Sequence, residues 1–226
     1  MSSITVVDFG MGNLHSVAKA LEHVAPKSRV LVSSDAAVIA ASDRVVLPGQ
    51  GAIGGYIKAL RDTHLEPAVL DAARNKPFLG ICLGLQVLYE SSDEHSEGEE
   101  NVTTLGLFSG QVRHFTHVSD DPNAMIDPAT GHLYTIPHMG WNQVRQTRPH
   151  PLWQGIPDQA RFYFVHSYCV QSQNEAEVTG VTYYGVDFTS AAGRDNVFAV
   201  QFHPEKSQHD GLKLLENFAS WDGSSE

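Results

Sequence analysis

The sequence predicts an α/β fold with a mostly parallel central sheet flanked by helices, and three observations carry that expectation. From Ile4 to Tyr89, short apolar runs alternate with segments whose apolar residues recur at helical spacing, as strands joined by crossover helices require. One of those runs, Phe78-Leu79-Gly80-Ile81, is apolar throughout, as a strand buried on both faces must be. The chain has 226 residues, enough for one sizeable core, so residues 1–226 are expected to form a single domain.

Each element has its own local reason. Ile4 to Phe9 reads as the first strand, and Asp8-Phe9-Gly10-Met11-Gly12-Asn13 as the turn that follows. Leu14, Val17, Leu21 and Val24 form an apolar stripe that predicts a helix over Leu14 to Val24. Gly10 and Gly12 lack the third glycine of a dinucleotide fingerprint, since Ser16 to Ala18 follow. Arg29 to Val32 is the second strand, and Ser34-Asp35 caps a short helix over Ala36 to Ala41. Val45 to Leu47 is the third strand and runs into the loop Pro48-Gly49-Gln50-Gly51. Tyr56 to Leu60 and Leu65 to Arg74 read as helices before the Phe78–Ile81 strand, and Leu83 to Tyr89 as a helix after it. The stretch from Glu90 to Glu100, which includes Asp93, Glu94, Glu97 and Glu99, reads as a solvated acidic loop. Beyond it, Gly106 to Phe115 suggests hairpin-like segments around Ser109-Gly110, and Val118 to Gly131 an exposed loop. Arg161 to Val170, Val178 to Tyr184 and Asn196 to Phe202 read as strands, and Gly211 to Trp221 as a terminal helix. No internal repeat and no linker mark a second domain.

Composition narrows the function. A net charge of −11 argues against non-specific nucleic-acid binding. No apolar run is long enough to span a bilayer. Met1-Ser2-Ser3 leads directly into strand-like Ile4-Thr5-Val6-Val7, so no leader peptide is expected. With two cysteines, Cys82 and Cys169, a cytoplasmic enzyme is a simpler expectation than a disulfide framework. The 12 histidines show no zinc-ligand spacing with cysteine, and no metal or cofactor is expected. His114 and His117 read as surface residues, and Cys169, in Tyr168-Cys169-Val170, as a core residue.

The chemistry concentrates in two stretches. Gly80-Ile81-Cys82-Leu83-Gly84 has the Gly-x-nucleophile-x-Gly form of a strand-to-helix elbow, which needs small residues flanking the nucleophile and lifts one side chain above the sheet edge. Exposed backbone N–H groups at the start of the helix favour a thiolate there. The bland alternative is an inert cysteine at a strand end. Gln201-Phe202-His203-Pro204-Glu205 weighs against that alternative, because a nucleophilic cysteine needs a base and the base needs an orienting group. On an extended segment His203 and Glu205, two residues apart, point to one side.

These motifs resemble those of class I (triad) glutamine amidotransferases: Gly80-Ile81-Cys82-Leu83-Gly84-Leu85-Gln86, His203-Pro204-Glu205, and Leu47-Pro48-Gly49-Gln50-Gly51 in the place of that family's oxyanion strand. Within the family, three further stretches are similar to the glutaminase subunits of imidazole glycerol phosphate synthase: Asp8-Phe9-Gly10-Met11-Gly12-Asn13-Leu14-His15-Ser16-Val17, Pro137-His138-Met139-Gly140-Trp141-Asn142, and Lys206-Ser207 after the triad end. The resemblance runs from Val6 to the terminal helix. Gln50 departs from it, standing where a small apolar residue is usual, and Val118 to Gly131 is a longer loop.

The resemblance implies a flavodoxin-like fold, a Cys82–His203–Glu205 triad, an oxyanion hole from the backbone N–H groups of Gln50 and Leu83, and glutamine binding by Gly51, Gln86, His166, Ser167 and Tyr168. It also implies a cyclase partner built as a (β/α)8 barrel, forming a heterodimer in which ammonia passes to the cyclase. Asn13, Trp141, Asn142, Tyr163 and Lys206 are the interface residues it suggests; for Trp141, a core position is an equally natural reading. Three rivals remain. A glutaminase of anthranilate or pyridoxal phosphate synthesis shares the triad but not the Met139–Asn142 and Lys206 context. A non-catalytic protein on the same fold has no use for an intact triad. A stand-alone cysteine hydrolase needs no partner.

Overall fold

The computed structural model describes residues 2–94 and 101–224. Its first half is a run of strands and crossovers: β1 (Ser3–Val7), α1 (Leu14–Val24), β2 (Arg29–Ser33), α2 (Ala36–Ala41), β3 (Arg44–Gly49), α3 (Ile53–Asp62), α4 (Glu66–Asn75), β4 (Phe78–Cys82) and the one-turn α5 (Leu83–Gln86). The second half is largely β: β5 (Ser91–Ser92), β6 (Val102–Thr103), β7 (Gly110–His114), β8 (His138–Gln143), β9 (Arg145–Gln146), β10 (Arg161–His166), β11 (Tyr168–Ser172), β12 (Val178–Tyr184), β13 (Val186–Arg194) and β14 (Val197–Val200), closed by α6 (Gln208–Ser220).

The sheet runs β2-β1-β3-β4-β14 in parallel and continues through β13, β11 and β7 in antiparallel. The parallel part has the strand order of a flavodoxin-like sheet, with ligand-bearing loops expected at the carboxyl ends of its strands. Sequence dictates much of this. The five residues of β4 are all buried, as a strand covered on both faces must be. Asp35 caps α2 by accepting from Ala37 N at 2.8 Å, and Asn13 caps α1 by accepting from Ser16 N. Helices α1 and α6 bury Val17, Leu21, Leu214, Leu215 and Phe218 in one core; α2, α3 and α4 bury Ile39, Ile57, Leu60 and Val69 in the other.

Several expected elements differ. The helix expected over Leu83 to Tyr89 stops at Gln86. The carbonyls of Val87, Leu88 and Tyr89 instead accept from the N–H groups of Leu105, Leu107, Phe108 and Gly106, so the chain returning from β6 takes the partners a longer helix would need. The single strand expected over Arg161 to Val170 is two, broken at Ser167: β10 pairs with β8 in a separate two-stranded ribbon, while β11 joins the main sheet. No hairpin forms around Ser109-Gly110; β7 pairs with β11 and β5. Strand β13 has no counterpart in the sequence reading. The stretch from Val118 to Gly131 is not wholly exposed, because Met125 is buried in the core and Ile126 bridges to Leu133. In the acidic stretch, Asp93 accepts from His114 N and Glu94 from Ile53 N, so neither is simply solvated; Glu97, Glu99 and Glu100 lie outside the described residues.

Candidate active site

Cys82 is the last residue of β4 and adopts φ 56°, ψ −110°, a left-handed φ that a side-chain-bearing residue rarely takes and that costs about 1–3 kcal/mol. That turn re-aims the side chain. Strand alternation would send Cys82 to the face of Phe78, yet it lies in the core cluster of Leu79 and Ile81, while Leu83 joins that of Phe78. The flanking glycines are forced by contact. A Cβ on Gly84 would lie 1.9 Å from the Leu47 carbonyl oxygen, and one on Gly80 would lie 2.5 Å from the Gly84 oxygen. With only four residues, α5 supplies little macrodipole, so the local environment of Cys82 rests on side chains more than the sequence reading supposed.

His203 follows β14, which pairs with β4 in parallel, so the two strand ends meet. Its Nδ1 lies 2.9 Å from Glu205 Oε1, and both side chains are buried. They are not on an extended segment: Pro204–Lys206 forms a 3-10 turn, which folds Glu205 back onto the ring. A carboxylate only accepts, so Nδ1 carries the proton and Nε2 is left for Cys82. Nε2 is buried and makes no well-directed hydrogen bond. Burial opposes a charge on His203, but the interactions with Cys82 and Glu205 outweigh it and raise the pKa to about 10.

A cavity of about 430 Å³ opens beside the triad. Gln50, Gly51, Cys82, Leu83, Gln86, His166, Ser167, Tyr168, His203 and Lys206 all line it, so the structure brings together residues drawn from four separate stretches of sequence. Glu205 stands behind His203. Three further lining residues, Glu94, Pro137 and Val165, were not among the expected site residues. The only local signal for Glu94 is one acid among many. It is half-buried, its pKa is raised by desolvation, and its carboxylate serves α3, whose N-cap Ala52 has no capping side chain.

The expected oxyanion segment is more constrained than its glycines suggest. Strand β3 continues through Gly49, which pairs with Cys82, and Tyr56 donates to the Pro48 carbonyl at 3.0 Å. A Cβ on Gly49 would lie 2.2 Å from the Tyr56 ring, so this glycine answers to packing. Freedom begins at Gln50, which is exposed, and at Gly51, with φ 99°.

A buried network surrounds the cavity. The Tyr168 carbonyl lies 2.8 Å from His166 Nδ1 and 2.9 Å from Gln86 Nε2. His166 Nε2 lies 3.0 Å from His138 Nδ1, and His138 Nε2 lies 3.3 Å from Asn142 Nδ2. The carbonyl can only accept, so His166 carries its proton on Nδ1 and takes one from His138 at Nε2. Burial lowers both imidazoles, His138 to about 4 and His166 to about 3, the latter helped by His138. His138 was not among the sequence-predicted site residues.

The suggested interface residues are partly clustered. Trp141 is 38 % exposed, which sets aside the core reading, and its ring lies 6.2 Å from that of Tyr163, opposite it in the β8–β10 ribbon. Lys206 Nζ sits 5.9 Å from the Tyr163 ring centroid. Asn142 donates to the Tyr183 carbonyl at 2.9 Å, and Asn13 caps α1. Among the described residues, no group of three or more His, Cys, Asp or Glu is arranged to hold a metal ion.

Comparison with known proteins identifies the family. The family model for class-I glutamine amidotransferase matches residues 5–220. Imidazole glycerol phosphate synthase subunit HisH of Dechloromonas aromatica (strain RCB) is 55 % identical over 97 % of this chain and 96 % of that protein. Subunit HisH 1 of Pseudomonas aeruginosa is 53 % identical over 99 % of both, and the Nitrosomonas europaea subunit HisH is 52 % identical over 98 % and 99 %. Among solved structures, a glutamine amidotransferase superposes with TM-score 0.66 at 14 % identity over 96 % of this chain and 99 % of that one. PurLQS from Thermotoga maritima gives TM-score 0.64 at 16 % identity over 96 % and 97 %; likenesses at this identity speak to the fold alone.

Proposed function

The chain belongs to the class-I glutamine amidotransferase family, and from that premise we propose that it is the glutaminase subunit of an imidazole glycerol phosphate synthase, hydrolysing L-glutamine to glutamate and ammonia for histidine biosynthesis. The observation that carries the chemistry is the meeting of a strained Cys82 with a buried His203–Glu205 pair at adjacent strand ends.

The residues divide the reaction between them. Cys82 Sγ attacks the carboxamide carbon of glutamine, and the backbone N–H groups of Gln50 and Leu83 stabilise the oxyanion. His203, charged at neutral pH, passes its Nε2 proton to the departing nitrogen, so ammonia leaves and a thioester remains. His203 then takes a proton from water, whose oxygen attacks the thioester carbon, so the carbon–sulfur bond breaks, glutamate is released and the Cys82 thiolate is restored beside a charged His203. Glu205 holds the ring in the required tautomer. Gly51, His166, Ser167 and Tyr168 frame the substrate. Gln86 commits both amide hydrogens to protein acceptors, Tyr168 O and Gln201 Oε1, which leaves its Oε1 to accept from the substrate.

The relatives are named as subunits, which supports a partner for this chain too. The partner is a cyclase of (β/α)8 form that uses the ammonia to make imidazole glycerol phosphate and aminoimidazole carboxamide ribotide, and the Asn13, Trp141, Asn142, Tyr163 and Lys206 region faces it. Two free cysteines suit a reducing cytoplasmic setting, and no helix among the described residues is long and apolar enough to cross a membrane. The test is synthesis by the reconstituted complex. Cys82→Ala should abolish the glutamine-dependent reaction and spare the one fed with ammonium. Glutamine-dependent synthesis that survives Cys82→Ala rules the assignment out.

A further inference from the structure

Gln201 is completely buried immediately after β14, two residues before the triad histidine, and the mechanism above gives it no role. A buried carboxamide presents two donors and an acceptor that need partners. Its Oε1 accepts from Gln86 Nε2 at 2.9 Å, and its Nε2 points at Cys82 Sγ, 3.7 Å away. The direction of these bonds is set by a group with no choice. The Tyr168 carbonyl can only accept, so the Gln86 amide must present Nε2 to it; that same Nε2 then donates to Gln201 Oε1; and Gln201 is left with its N–H toward the sulfur. A reversed Gln201 amide would set its nitrogen against the nitrogen of Gln86 and its oxygen against sulfur.

The geometry points to Gln201 as a further catalytic residue, whose side-chain amide donates to Cys82 Sγ and stabilises the thiolate that attacks glutamine. Gln86 then acts as its positioning residue, in addition to facing the substrate. The sulfur lies between two groups with different tasks: His203 exchanges its proton, while Gln201 holds a fixed dipole on it. A donor aimed at a largely buried sulfur is worth more than the same donor in open solution, because less solvent competes. The bond weakens as the sulfur becomes a neutral thioester, so it raises the thiolate population before attack and assists departure of the thiolate at the end. The inference rests on Cys82 being the nucleophile, as proposed above.

The experiment follows the thiolate itself, in the full chain and without glutamine or any partner. The rate of carbamidomethylation of Cys82 by iodoacetamide is measured across pH, with the modified peptide identified by mass spectrometry; Cys169 is buried and reports separately. In Gln201→Met, which keeps length and removes the donor, the midpoint for Cys82 should move up by about one pH unit or more, as expected for loss of one hydrogen bond to a charged group. An unchanged midpoint in a folded Gln201→Met chain overturns the proposal. A second measurement needs no change at Gln201: in the wild-type chain the Gln201 side-chain amide resonances should titrate with the Cys82 alkylation midpoint, and Cys82→Ser should abolish that movement. Amide resonances indifferent to Cys82 overturn the proposal even where Gln201→Met fails to fold. Neither readout depends on turnover, so failure of the glutaminase assignment appears separately, as synthesis that survives Cys82→Ala.

Discussion

At the scale of single residues, the proposed triad divides into parts of unequal weight. Removing the Cys82 thiol should cost several orders of magnitude in glutaminase rate, roughly 5 kcal/mol or more, whereas Cys169→Ala should leave the rate unchanged. Glu205 touches His203 through one oxygen, and its other oxygen is buried with no partner among the described residues, so its main service is to the imidazole. Glu205→Gln should therefore lower the His203 pKa from about 10, seen by NMR titration, and reduce turnover less than His203→Ala does. Cys82 and His203 were legible in the sequence because spacing to glycines and to a carboxylate is local information. Gln201 and His138 were not. Gln201 meets Gln86 across 115 positions and His138 meets His166 across 28, and nothing near either residue announces the meeting.

At the scale of elements, the elbow is held by contacts that tolerate no added atom. Gly84→Ala would drive a methyl into the Leu47 carbonyl and should prevent native expression or lower the melting temperature sharply. Gly55 offers the opposite case inside α3: a Cβ there meets nothing within 4 Å, so Gly55→Ala should stabilise the chain by about 0.5–1 kcal/mol in thermal denaturation. The parallel strands were legible because their crossovers alternate with them and their side chains are large and β-branched. Strand β13 was not, since its buried centre is Ser190, Ala191 and Ala192, small residues that carry little strand preference and fit only because neighbours on both sides leave little room. The break at Ser167 escaped for a related reason. Strand-favouring residues resume at Tyr168 directly after His166-Ser167, with no glycine or proline between, and only the existence of two sheets tells the halves apart.

At the scale of the whole molecule, the β8–β10 ribbon joins the face carrying Trp141 to the triad. The Tyr163 carbonyl accepts from His203 N at 2.9 Å, and Tyr163 N donates to Ser207 Oγ at 3.0 Å, so a load on the ribbon reaches the catalytic turn through backbone. The isolated chain should be a poor glutaminase that gains about a hundredfold when the proposed cyclase partner docks with its ligand, the effect expected of completing one oxyanion donor at Gln50; equal rates with and without the partner would refute this. The fold should also lose stability in mild acid. His138, His150 and His166 are buried neutral, at about 4, 4 and 3, so the unfolded chain takes up protons below about pH 6.5 that the folded chain refuses. Melting temperature should therefore fall as pH drops from about 7 to about 4. His203 works the other way: its contribution is complete below about 6.5 and is lost as pH rises through about 10. The re-aimed elbow has one more consequence. Cys82 is anchored in the core of Leu79 and Ile81, and Leu83, the next residue, in the core of Phe78 and Leu85. The two side chains are held by different cores, so the elbow should not open unless both come apart, and the backbone amides of Leu79 to Ile81, paired on both sides within β4, should take up deuterium only through complete unfolding, at the slowest rate in the chain. Fast deuteration there, with the strands around it still protected, would mean that the nucleophile sits on a segment that opens by itself.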